Sequence, residues 1–110
     1  MLFNSTVYQI GGGGELTAVK KEGTGVALTL EIPNGATEMI AVGTKYINAE
    51  ATRGYVGFAH YIYYKGSNTW SMGRGEMNVH PEFSGNTVTF TNSTNANYAV
   101  KVMATFLIPV

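Results

Sequence analysis

The chain has 110 residues, with seven Lys plus Arg balanced by seven Glu, no Asp and no Cys. The formal net charge is therefore zero, and disulfides and thiolate metal centres are excluded. One domain with a real hydrophobic core is the expectation from size, and a neutral surface furnished by Thr, Asn, Ser and Gly argues against recruitment to nucleic acid or to an anionic membrane.

No apolar run approaches the roughly 18 residues that a membrane helix needs, so no membrane insertion is expected. The first residues, Met1-Leu-Phe-Asn-Ser-Thr6, lack the basic and long apolar regions of a signal peptide. Sequons at Asn4 and Asn92 are discounted, because such matches arise easily by chance in a Thr- and Asn-rich chain.

In chain order, residues 2–10 alternate weakly and predict an edge strand, and Gly11 to Gly14 follow as a flexible link or tight crossover. Residues 1–14 read as an N-terminal strand and glycine-rich neck, and residues 15–110 as the main domain. Residues 15–21 predict a short strand, and residues 22–25 a turn. From Thr24 to Ile32, Val26, Leu28, Leu30 and Ile32 alternate inward until Pro33-Asn34-Gly35 turns the chain. Residues 37–48 return with Ile40, Val42 and Tyr46 as the inward set. Residues 48–54 lack helical periodicity and read as a loop.

A long aromatic hairpin is predicted next, from Tyr55 to Lys65, through Gly66-Ser67-Asn68, and back from Thr69 to Val79. A four-residue loop pairing Lys65 with Trp70 would set Tyr63 opposite Met72 and Tyr61 opposite Arg74. Tyr61, Tyr63, Lys65, Trp70, Met72 and Arg74 then share one face, and Phe58, His60, Ile62 and Tyr64 share the other. Residues 80–86 read as a loop, since Pro81 cannot donate to a ladder. Residues 87–91 predict a strand with Val88 and Phe90 inward and three threonines outward, followed by a polar loop from Asn92 to Asn97. Residues 98–109 are the last strand, apolar enough to be buried on both sides. Seven or eight strands without a convincing helix predict an all-β antiparallel sandwich, jelly-roll-like, with a small barrel as the alternative closure.

The seven glutamates are scattered and no nucleophile elbow is present, so no catalytic residue is assigned and the chain is expected not to be an enzyme. His80 and Glu82 have the chemistry of metal ligands but read better as an ordinary loop, and His60 reads as a satisfied core histidine. No metal and no cofactor are expected. The aromatic face of the hairpin has three readings: core packing, burial against a sister subunit, or ligand contact. In the last, Tyr61, Tyr63 and Trp70 would stack on sugar faces beside polar groups, with Arg74 lying over Tyr61.

The run Leu30-Glu-Ile-Pro-Asn-Gly-Ala-Thr-Glu-Met-Ile-Ala-Val42 resembles the strand–turn–strand of small β-sandwich tips in bacteriophage tail fibres and related virion fibres. The close of the chain, a polar loop from Asn92 leading into a terminal strand through Phe106, is similar too, and the glycine stretch resembles a neck between shaft and head. The resemblance implies a virion structural and adhesion module, a homo-oligomer with a trimer favoured, whose tip binds a host cell-surface glycan or protein. It implies a place in the virion, an extracellular location being the alternative, and no nucleic-acid partner. The rival expectations are a carbohydrate-binding domain of an extracellular bacterial enzyme and a purely architectural capsid-decorating protein.

Overall fold

A computed structural model describes residues 4–10, 14–76 and 78–109. Gly11 to Gly13 of the expected neck, Leu2 and Phe3 of the expected first strand, and Met77 lie outside the described residues. The described residues form strands and turns with no helix. The strands are β1 (Asn4–Ile10), β2 (Gly14–Gly25), β3 (Leu28–Glu31), β4 (Glu38–Tyr46), β5 (Gly54–Tyr64), β6 (Thr69–Glu76), β7 (Val79–Ser84), β8 (Thr87–Asn92) and β9 (Val100–Pro109).

Eight of them, β2 to β9, make the expected antiparallel sandwich, with β2-β9-β4-β5-β6 in one layer and β3-β8-β7 in the other. β1 adds to the outer edge of β2. The wrapping is jelly-roll-like. β2 pairs with β9 and, after Val26 and Ala27, the chain passes to the other layer, where β3 pairs with β8. A two-stranded ribbon thus bends from one sheet onto the other.

The core lies between the layers. Phe90, Phe106, Met39, Val79, Val88, Val100 and Val102 are its largest fully buried side chains. Burying each contributes about 1.5–3 kcal/mol against the chain entropy of folding. β8 has the predicted facing, with Val88 and Phe90 inward. On its outer face Thr29 and Thr89 pair across the ladder, hydroxyl to hydroxyl at 2.9 Å.

Four expectations are corrected. In β4 the inward residues are Met39 and Ala41, both fully buried, while Ile40 and Val42 are 43% and 38% exposed on the outer face. Both phases of that strand are apolar, so alternation could not choose between them. In β9, Val100, Val102, Ala104 and Phe106 are buried, but Lys101 and Met103 are exposed, because no second layer covers the outer face. β2 runs through to Gly25, and the turn falls at Val26 and Ala27, which leaves Val26 54% exposed. Residues 80–84, part of the segment read as a loop, form with Val79 the strand β7, the edge of the small sheet, where Pro81 pairs opposite Phe90 and needs no donor on its free side.

Candidate functional site

The aromatic hairpin forms as β5 and β6, but with a different register. Tyr64 pairs with Thr69, Tyr63 with Trp70 and Tyr61 with Met72. Past Tyr61 the ladder shifts by one residue, so that Arg74 lies opposite His60 and Gly75 opposite Ala59. Gly73 is the extra residue of this β-bulge. Tyr61, Tyr63 and Trp70 remain on one face, as expected, and Arg74 is moved to the opposite one. The expected pairings of Tyr63 with Met72 and of Tyr61 with Arg74, and with the latter the stacking of Arg74 on Tyr61, are therefore not formed.

The face carrying the tyrosines turns inward toward the small sheet. Tyr61 is 5% exposed, and its ring centroid lies 5.6 Å from that of Phe83 in β7. Burial pushes its phenol above the ordinary tyrosine value. Trp70 stacks on Phe83 with centroids 5.2 Å apart and planes within 8°, and Tyr63 tilts against Trp70 at 5.3 Å. Core packing accounts for Tyr61. Tyr63 and Trp70 sit further along, where the sheets end, and are only half-buried.

Three turns meet at that end. Pro33 to Ala36 closes with Ala36 N–H donating to Pro33 O at 3.1 Å, and Gly35 takes the positive φ of 85° that such a turn needs. The β5–β6 turn is held by Ser67 N–H to Tyr64 O, and the Tyr63 hydroxyl donates to Asn68 Oδ1 at 2.8 Å. The β7–β8 turn carries Gly85 and Asn86, and Asn86 O accepts from Ile32 N–H at 2.6 Å, tying it to the first turn. Thr37 joins the sheet end from both sides, receiving Tyr63 N–H and donating its own N–H to Leu107 O.

Between these turns lies an open cleft of about 420 Å³, lined by Ile32 to Thr37, Tyr63, Lys65, Asn68, Trp70, Gly85 and Asn86. A second depression of about 450 Å³ shares Tyr63, Asn68, Trp70 and Gly85 with it and adds Thr69 and Phe83. Lys65 is the one charged residue on either lining. The amides of Asn34, Asn68 and Asn86 and the hydroxyls of Tyr63 and Thr37 offer donors and acceptors around an aromatic floor. Such a surface suits a neutral, hydroxyl-bearing ligand.

Of the four residues expected to contact ligand, Tyr63 and Trp70 line this cleft, Tyr61 is in the core, and Arg74 is on the far side of the sheet. Phe83 and the three asparagines were not singled out from the sequence. Each asparagine does stand in a turn pattern beside Gly, Pro or Ser, and that was the available signal.

His60 is half-buried, but on the outer face of the large sheet, with Nε2 2.8 Å from Glu38 Oε1 across the β4–β5 ladder. His80 and Glu82 are exposed on β7. Among the described residues no three of His, Cys, Asp and Glu converge. Comparison with models of known protein families, with curated proteins and with solved structures finds no match to this chain.

Proposed function

We propose that the chain is a non-enzymatic structural and adhesion module of the virion-fibre kind. Its turn-end cleft takes a neutral host-surface glycan, or a protein surface presenting similar hydroxyl and amide chemistry. One observation carries the reading: three turns converge on the Tyr63–Trp70–Phe83 rings, with asparagine amides at the rim and a single cation. Sugars present apolar ring faces edged by hydroxyls, and rings flanked by amides answer both. A rigid sheet end positions the rings, while the exposed turns are free to vary for specificity.

The test is a screen against immobilised neutral and acidic glycans, followed by calorimetric titration of the hits. Tyr63→Ala is expected to weaken binding by about tenfold or more, the equivalent of roughly 1.4 kcal/mol. Asn34→Ala combined with Asn86→Ala, both at exposed positions, is expected to weaken it similarly. Arg74→Ala, outside the cleft, is expected to change nothing. Unchanged affinity in well-folded Tyr63 and asparagine variants would remove the cleft as the site.

A further inference from the structure

The outer face of the large sheet, away from the core and from the turn-end cleft, carries an apolar field in a charged frame. Antiparallel pairing arranges its side chains in rows across β2, β9, β4, β5 and β6. One row reads Glu22, Met103, Val42, Phe58, Glu76, and the next reads Lys20, Thr105, Ile40, His60, Arg74. Beyond the first lie Thr24, Lys101, Thr44 and Val56; beyond the second, Ala18, Leu107, Glu38 and Ile62. Phe58 and Val56 are 62% and 67% exposed, and Ile40, Val42 and Met103 each about two-fifths. Lys20, Glu22, Arg74 and Glu76 make no ion pair with another described residue.

The geometry points to a second copy of this chain as the occupant, packed face to face about a twofold axis that runs across the strands between the two central rows. That axis exchanges the rows while keeping each strand over its counterpart. Glu22 then faces Lys20 of the second copy, Glu76 faces its Arg74, Val42 faces Ile40, and Val56 faces Ile62. Both edges of the contact become complementary in charge. Between them Met103, Val42, Ile40 and Phe58 make the centre largely apolar, while Lys101 comes over Leu107 and Glu38, paired with His60, over Thr44. A twofold axis along the strands instead sets Glu22 against Glu76 and Lys20 against Arg74, and like charges so placed are costly. The bulge at Gly73 matters here, because it brings Arg74 onto this face.

The size also fits. Five strands about 4.8 Å apart and four rows about 6.8 Å apart make a patch of roughly 500 Å² per copy, or roughly 1,000 Å² in the pair. That reaches the lower bound for a specific interface, and the expected dissociation constant is on the order of micromolar. Sheets stacked in this way lie about 10 Å apart with strands nearly aligned. The inference does not depend on what the turn-end cleft binds.

Sedimentation velocity on the whole chain, from about 1 to 200 µM, is expected to show a concentration-dependent species of twice the 11.8 kDa chain mass. Arg74→Glu alone and Glu76→Arg alone are each expected to weaken pairing by at least about tenfold. Both residues are exposed on an edge strand, so thermal melts should confirm that the fold is kept. The double variant Arg74→Glu/Glu76→Arg should restore the pair, and mixing the two single variants should give a heterodimer, since each then meets its complement. A monomer throughout, a threefold mass, or single swaps that leave the mass unchanged would overturn the proposal.

Discussion

Asn92 is 5% exposed and uses both ends of its side chain. Nδ2 donates to Tyr46 O at 2.6 Å and to Ala99 O at 3.1 Å, while Oδ1 accepts from Thr94 N–H at 2.9 Å and Asn95 N–H at 3.2 Å. One residue therefore shapes the loop between β8 and β9 and pins it to the end of β4. Its amide is committed to two part-buried carbonyls, which gives Asn92 a structural use. Asn92→Ala removes the donor from two carbonyls, and a stability loss of about 2–3 kcal/mol is expected, measured by urea unfolding. Asn92→Asp should cost more, because a carboxylate then faces those same oxygens. A loss below about 0.5 kcal/mol in either would mean that backbone bonds alone hold the loop. In the sequence Asn92 is one polar residue among several, alongside Asn95 and Asn97. Composition marked the loop, but burial, which separates Asn92 from its neighbours, depends on strands β4 and β9 arriving from elsewhere in the chain.

The β5–β6 hairpin was legible as an element, because aromatic and β-branched residues alternate on both sides of a turn-forming run. Its register was not, because the four-residue loop falls one residue earlier than expected, at Lys65 to Asn68, and the ladder then shifts again at Gly73, a bulge that leaves no mark in period-two alternation beyond a glycine. β4 shows the same limit in another form: Met39-Ile40-Ala41-Val42 is apolar in both phases, so its facing was settled by which side the small sheet covers. β7 was missed because Pro81 reads as a breaker, whereas an edge strand tolerates it. After the bulge, Gly75 holds φ at 110°, and a Cβ there would press on Phe58 O and lie 2.6 Å from Ala59 Cα. Gly75→Ala is therefore expected to destabilise the fold by about 1–3 kcal/mol and to speed hydrogen exchange along β6. Gly66→Ala is the comparison, with nothing within 4 Å of the added carbon. It should change stability by less than about 0.5 kcal/mol. Equal effects at the two glycines would discard the argument from the bulge.

Across the whole molecule, fold class was legible from strand spacing and turn residues, and strand order was not. The apolar richness of β9 suggested a strand buried on both sides; the structure gives it a neighbour on each side, β2 and β4, with one face in the core and the other open. Those two pairings join residues far apart in the chain, as Val19 with Phe106 and Met39 with Phe106 illustrate. Nothing local reports such contacts, and their loop-closure cost makes folding slow relative to helical domains of the same length. β1 stands in contrast, since it pairs with β2 alone at the sheet edge. Removing residues 100–109 leaves β2 and β4 without their shared partner and strips Val100, Val102, Ala104 and Phe106 from the core. That truncated chain is expected to show no cooperative thermal transition. Removing residues 1–10 takes away the ladder that β1 makes along the edge of β2, and the remaining chain should still melt cooperatively, with the near-ultraviolet dichroism of the Tyr63–Trp70–Phe83 rings kept. If the chain lacking residues 100–109 folded cooperatively, or the one lacking residues 1–10 failed to, the central place of β9 in holding the two layers together would have to be abandoned.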